Sequence, residues 1–481
     1  MTESAPKTKP EPTVLRLSPT STAEEKDQVF RHALAVHGKG RRDDAAKLYR
    51  ALLKIDANHA PSWINLGTIL RQQGQYWAAA GCASRAVALD PDNAGYLTNW
   101  GNCLGDLDQM DGALAAHAKA AQLKPNDPLI RNNYAIALRE FERYEDALRE
   151  FDAALALKPG DASLLWDRAI TDLHLGHYED GWDAFEIRWQ QKQMRRRPQV
   201  APEWRGEDLS GKTILVYEEQ GFGDSILCSR YLPMVKERGG RIVVECKAPL
   251  HRLFSGIQGI DQMTDQTPAA GTYDYQVPMM SLPGIFKTRL DTIPAPATVA
   301  AAPDIPAAAA ALLALGRGKL RVGVVWSGST TFGRNRKRAV GIDRFLPLAS
   351  IPGVQLYSLQ KGPCEQELVD SGAEGLILPL GPHVNDFADT AAVLGELDLV
   401  IMTDSSVAHL AASVGRPVWN LLCFFPYWLY LHGREDSPWY PSMRLIRQET
   451  AGGWDALFAR VTRELTELAA PYARSSNQPS P

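Results

Sequence analysis

The sequence predicts an all-helical solenoid followed by an α/β region wound as two parallel-sheet lobes. Three observations carry that prediction. Pro91, Pro125 and Pro159 stand 34 residues apart and mark a repeat that fades near residue 190. Beyond it, apolar runs of strand length alternate with amphipathic stretches, the pattern of βαβ winding. An Ala/Pro-rich segment then divides this second half, and a new strand–loop–helix series starts on its far side.

Composition bounds what such a chain can do. At 481 residues it is too long for one core. A formal charge of −4 supplies no basic field for nucleic acid. No apolar run reaches the roughly 18 residues of a membrane helix. The first 22 residues lack the apolar centre of a secretion signal and read as a disordered polar tail. Six scattered cysteines without a Cys-x-x-Cys pair suggest neither a disulfide framework nor a zinc site, and a cytoplasmic setting is expected. Asp-x-Asp occurs only at Asp90/Asp92 and Asp106/Asp108, both in repeat turns, and the histidines show no ligand spacing, so neither a metal nor another cofactor is expected.

In the first half, Trp63-Ile64-Asn65-Leu66-Gly67 aligns with Leu97-Thr98-Asn99-Trp100-Gly101 and with Arg131-Asn132-Asn133-Tyr134-Ala135. Ala79, Ala113 and Ala147, then Ala86, Ala120 and Ala154, let paired helices approach, while Leu70, Leu104 and Leu138 fill the seam. The prolines end each block. A weaker copy precedes these blocks and a degenerate one follows, with Asp167, Ala169, Gly176, Tyr178, Gly181 and Phe185. About five repeats over 23–190 result, and they resemble the tetratricopeptide repeat (TPR). Asn65, Asn99 and Asn133 share one column, with Asp167 next in line. A carboxamide ladder on the concave face would hold the main chain of an extended protein acceptor; the alternative is that Asn-Leu-Gly is simply common in this repeat.

A junction at 191–211 carries Arg195 to Arg197 and reads as a solvated linker, contact with phosphate being the alternative. The first lobe spans 212–300: strand TILVYEE (213–219), the loop Gln220-Gly221-Phe222-Gly223-Asp224, an amphipathic helix through Glu237, strand RIVVECK (241–247) and a shorter strand near YDYQVPM. The crossing covers 301–319. The second lobe, 320–450, starts with RVGVVWSGS (321–329) and continues through VQLYSLQ, GLILPLG, LVIMTD, PVWNLLC and MRLIRQ. A closing helix at 451–472 precedes a tail at 473–481.

Two strings in this half carry a family resemblance. Gly-Phe-Gly-Asp-Ser-Ile after the first strand, and Thr-Asp-Ser-Ser-Val-Ala-His-Leu-Ala after a late strand, resemble the ADP-heptose heptosyltransferases. Bacterial TPR-bearing relatives of that family, some of which modify flagellin, are similar through Pro-Trp-Tyr-Pro (438–441). The architecture is also similar to the protein O-GlcNAc transferases, which join such repeats to a glycosyltransferase and carry an asparagine ladder. The resemblance implies an α/β GT-B fold of two Rossmann-like lobes. It further implies a metal-independent inverting transferase that takes a nucleotide-sugar donor.

Residue by residue, the late motif starts a helix whose free N–H groups form an anion site, with Asp404, Ser405, Ser406 and His409 as donor-binding candidates. The family usually carries Asp-Thr-Gly there; Ser-Ser stands here, and a plain helix cap is the alternative. Arg338 resembles a basic phosphate ligand of the family, with a solvated basic loop as the alternative. Ser327, in the turn Trp326-Ser327-Gly328-Ser329, is a further donor-binding candidate. Gln360 and Lys361 lie where relatives recognise the nucleoside, and the sequence does not say which of them reaches it. Asp224 matches the proposed general base, with Glu219 as its neighbour and an ordinary cap as the alternative. Phe424, Phe425, Tyr427, Trp428 and Tyr430 could stack on an acceptor sugar, hold a peptide or pack a core. A lipid or saccharide acceptor, with the repeats used for assembly, and a non-catalytic scaffold are the competing functions.

Overall fold

In the computed structural model the described residues run from 18 to 475, without 192, 193, 195, 331, 332 and 334. The first 17 residues, Arg195, Arg334 and the tail after 475 therefore lie outside the described residues. The chain divides into two compact units, Met1–Pro159 and Gly160–Pro481.

The first unit holds four helix pairs: α1 (Ala23–Gly38) with α2 (Arg42–Ile55), α3 (Ala60–Gln72) with α4 (Tyr76–Leu89), α5 (Ala94–Asp106) with α6 (Met110–Leu123), and α7 (Pro128–Glu140) with α8 (Tyr144–Leu157). The alanine columns and Leu70, Leu104 and Leu138 are buried between the helices. Two residues after Pro91, Asn93 Oδ1 accepts from the Tyr96 amide (3.2 Å); two after Pro125, Asp127 Oδ1 accepts from Leu129 and Ile130 (3.0 and 3.2 Å). Each proline thus stops one helix, and the side chain behind it starts the next. The turn inside each pair needs one left-handed residue, at 40, 74, 108 and 142: Gly40 and Gly74 (φ 77° for both), but Asp108 (56°) and Glu142 (58°) in the later repeats.

The second unit opens with the fifth repeat, α9 (Ala162–Leu175) and α10 (Tyr178–Phe185). Sequence periodicity assigns these helices to the solenoid; their packing assigns them to the α/β region. Tyr178, Trp182 and Phe185 enter one core with Trp428 and Trp439, and Trp439 Nε1 donates to the Tyr178 hydroxyl at 2.7 Å. Asp172 occupies the column of Leu70, Leu104 and Leu138. It is only 2% exposed and pairs with Arg168 (2.7 Å). Burial pushes its carboxyl up against the opposing pull of Arg168.

Two all-parallel sheets follow. The first contains β1 (Thr213–Tyr217), β2 (Arg241–Glu245), β3 (Gln262–Thr264) and β4 (Tyr275–Pro278) in the order β3-β2-β1-β4. The second contains β5 (Leu320–Val325), β6 (Val354–Ser358), β7 (Ile377–Pro379), β8 (Leu399–Thr403), β9 (Val418–Leu422) and β10 (Met443–Arg447) in the order β10-β9-β8-β5-β6-β7. Helices flanking these strands include α11 (Phe222–Cys228) after β1, α12 (Phe387–Gly395) before β8, α13 (Ser406–Ser413) after β8, and α14 (Trp454–Ser475) after β10. The single helix expected through Glu237 is broken instead: α11 passes through a 3-10 turn at Ser229–Tyr231 into Leu232–Lys236, with Pro233 in the first turn of the second piece.

Candidate functional site

In each sheet the strand order reverses once, between β1 and β4 and between β5 and β8. Parallel sheets open a crevice at the carboxyl ends of their strands at such a reversal. In the second sheet the two flanking strands deliver Trp326-Ser327-Gly328 and Asp404-Ser405-Ser406 to the same place.

Arg338 organises that lip. Its Nη1 donates to Asp404 Oδ2 (3.1 Å) and its Nε to Asn335 Oδ1 (3.2 Å), while Asn335 Nδ2 donates to Ser327 Oγ (3.0 Å). The other Asp404 oxygen, Oδ1, accepts the Tyr430 hydroxyl at 2.6 Å. Asp404 is therefore a buried strut between Arg338 and Tyr430. Gly328 lets the arginine lie close, since a Cβ there would come within 2.7 Å of Arg338 Nη2.

Gln360 and Lys361 follow β6 and bond to the protein's own turns. Gln360 Oε1 accepts from the amides of Trp326 and Ser327 (3.2 and 3.0 Å), and its Nε2 donates to the carbonyls of Ser327 and Lys361 (3.1 and 3.0 Å). All four valences of the carboxamide are spent on fastening the β5 turn to the β6 turn. Lys361 Nζ donates to the Gly381 and Val384 carbonyls (2.8 and 3.0 Å) and holds the turn after β7. Gln360 is buried, whereas Lys361 is exposed.

Asp404 precedes Ser405, the N-cap of α13, and Ser406 is the first residue of that helix. Ser405 Oγ is buried and makes no hydrogen bond among the described residues. One turn into α13, His409 is buried, and its Nδ1 lies 3.2 Å from the Tyr440 hydroxyl. Burial holds its imidazole down to about 4, with the nearby Asp404 opposing. At neutral pH His409 therefore offers a hydrogen bond and no positive charge.

Across from α13 stands the first turn of α11. Gly223 makes the approach possible: a Cβ there would meet His409 Cδ2 at 2.9 Å and the Ser406 Cα at 3.5 Å. Asp224, expected in a loop, is the third residue of this helix, where its Oδ2 accepts from the Gly221 amide (3.0 Å). Its Oδ1 lies 3.5 Å from the Tyr427 hydroxyl, which is carried by the segment after β9. Burial, with help from the Asp404 charge, pushes the Asp224 carboxyl up to about 6. The cap reading is thus part of the geometry, and only one of the two oxygens is spent on it.

Glu219, the neighbouring carboxylate, is committed elsewhere. The fully buried Arg188, just past α10, donates Nε and Nη2 to Glu219 (2.9 and 3.1 Å) and Nη2 to Ser281 Oγ (2.7 Å). Glu219 follows β1 and Ser281 follows β4, so a side chain of the last repeat fills the reversal point of the first sheet. Sequence reasoning missed this arginine because nothing local distinguishes it from other basic residues near the junction.

In the first unit, Asn65, Asn99 and Asn133 repeat one geometry. Each Nδ2 donates at 2.8 Å to the carbonyl four residues back, of Pro61, Gly95 and Leu129 respectively. One N–H of every carboxamide is thus held by its own helix, which orients the group identically in successive repeats. Asn99 also lines a small cavity of about 50 Å³ with Ile64, Thr68, Arg71 and Cys103.

Among the described residues no helix is long and apolar enough to cross a membrane. Residues 60–93 match the tetratricopeptide repeat family. Protein FlbA of Caulobacter vibrioides is 28% identical over 317 residues, which cover 60% of this chain and 52% of that protein. The chain thus spans about half the length of this curated relative. Among solved structures, YrrB, described as a TPR protein with an unusual peptide-binding site, is 21% identical over 33% of this chain and 80% of its own, with a TM-score of 0.28. PilF of Pseudomonas aeruginosa is 21% identical (35% and 76% covered, TM-score 0.32), and a thermophilic TPR protein of Thermus thermophilus is 16% identical (35% and 92%, TM-score 0.32). The first part of the chain carries tetratricopeptide repeats, and a region of parallel sheets follows.

Proposed function

We propose that the second unit is a GT-B glycosyltransferase that moves a sugar from a nucleotide-sugar donor onto a protein held by the repeats. The observation that carries this reading is the meeting of α11 and α13. A carboxylate with one uncapped oxygen (Asp224) stands opposite a helix start with an unsatisfied hydroxyl (Ser405), and Arg338 lies at the edge. The donor phosphate sits on the N–H groups of Ser406 and Val407, on Ser405 Oγ and on Arg338. The acceptor hydroxyl attacks the anomeric carbon from the side opposite the phosphate. The new C–O bond forms as the bond to phosphate breaks, with inversion at that carbon, and the proton passes to Asp224. Negative charge growing on the leaving phosphate is met by groups already in place, so little reorganisation is needed. The oriented carboxamides of Asn65, Asn99 and Asn133 support capture of an extended acceptor by its main chain.

A thermal-shift series with ADP-, GDP-, UDP- and CMP-linked sugars tests the donor half of the reading. One class is expected to raise the melting temperature in a concentration-dependent way. Arg338→Ala is expected to abolish that rise. No shift with any of the four classes would count against nucleotide-sugar binding.

A further inference from the structure

The segment after β9 was open to three readings from sequence: sugar stacking, peptide holding or core packing. Its aromatic residues divide between two neighbours. On one side Phe425 packs on His174 of α9 (ring centroids 4.8 Å apart), and Trp428 meets Trp182 of α10 edge-on at 5.3 Å. On the other side the hydroxyls of Tyr427 and Tyr430 reach the two carboxylates of the crevice, Asp224 and Asp404. The last repeat therefore braces the short segment that touches both acids.

We propose that Tyr427 is a positioning residue for Asp224: its hydroxyl, carried by the segment after β9, donates to Oδ1 of this α11 carboxylate across 3.5 Å, while the Gly221 amide holds Oδ2. This rests on the reading of Asp224 as the base. Two donors at opposite oxygens set the plane of the carboxyl group and favour its charged form, the form able to accept a proton. Tyr427 serves this purpose because burial and the adjacent Asp224 keep its own hydroxyl protonated, well above the usual tyrosine range. The other groups around Asp224 act through different contacts. Asp404 opposes its ionisation from the second sheet, Glu219 is held by Arg188, the Cys228 thiol is buried one turn along α11, and the His409 imidazole packs on Gly223. None of these donates to Oδ1 among the described residues.

The test needs neither donor nor acceptor. The carboxyl titrations of the full chain are followed by ¹³C NMR with labelled aspartate, and Asp224→Asn identifies the resonance of Asp224. In Tyr427→Phe, which keeps the ring and its packing, the Asp224 titration is expected to move to higher pH by about half a unit. An unchanged midpoint in a folded Tyr427→Phe chain overturns the proposal. Should that variant fail to fold, the reciprocal measurement decides: the labelled Cζ resonance of Tyr427 is expected to shift in Asp224→Asn, and its constancy overturns the proposal. Because these readouts involve no sugar transfer, a transferase-silent chain with a shifted Asp224 titration would sink the functional reading while leaving the Tyr427–Asp224 contact standing.

Discussion

Repeats two to four and repeat five share one period yet bury themselves against different partners. In α3 to α8 the seam leucines 70, 104 and 138 are buried between the helices, and the residues at those positions stay apolar. In α9 and α10 the same column holds Asp172, and Tyr178, Trp182 and Phe185 pack into the α/β core. Self-similar sequence persists where a repeat stacks on a repeat. It erodes where the partner is a different fold, because that surface has no 34-residue period to match.

The largest expected effect separates the two regions. Arg188→Met leaves the buried carboxylate of Glu219 without its partner, and breaking a buried pair in this way costs about 3–5 kcal/mol. Hydrogen exchange followed by mass spectrometry is expected to show lost protection over β1, β2 and β4 with α5 to α8 unchanged. Equal loss in both regions would erase the distinction drawn here.

An intermediate effect depends on pH. Burial holds His117, on α6, down to about 4, so it is uncharged in the folded first unit while the unfolded chain binds a proton below its ordinary value of about 6.5. Stability is present above that value and is lost as pH falls toward 4, by an amount on the order of 3 kcal/mol. Urea unfolding at pH 7 and at about pH 4.5 is expected to show this for the first unit, and His117→Leu to remove most of it. His409 gives the second unit a loss of the same sign over the same window.

The smallest effect concerns the turns. Glu142 adopts a left-handed conformation that Gly40 and Gly74 occupy without strain, so Glu142→Gly is expected to stabilise α7 and α8 by about 0.5–1 kcal/mol in urea unfolding. No gain would mean that contacts of the Glu142 side chain offset its backbone strain.

What the sequence reveals follows the range of the interactions. Helix pairs, caps and long apolar strands depend on neighbours within one turn or one run, and α3 to α8, β1, β5 and β8 lie where their residues predict. The three-residue β3 has no buried residue and so no apolar run to betray it. The split helix after β1 was legible in Pro233, but the amphipathic pattern continuing past it hid the break. At the site, the helix start at Ser405 is a local signal. The capture of Asp404 by Arg338 and Tyr430, 66 and 26 residues away, is a tertiary fact, as is the four-way use of Gln360. The resemblance names these residues one by one; it does not say which of them hold the others.

The most direct measurement is labelled-sugar transfer into protein by Asp224→Asn, using whichever donor class raises the melting temperature of the wild type. Asparagine keeps the size of the side chain and can still accept from the Gly221 amide, so donor binding is expected to be unchanged. Transfer is expected to fall by roughly 10²–10⁴-fold, the contribution of a positioned general base. Transfer at the wild-type rate by the asparagine variant would contradict the account.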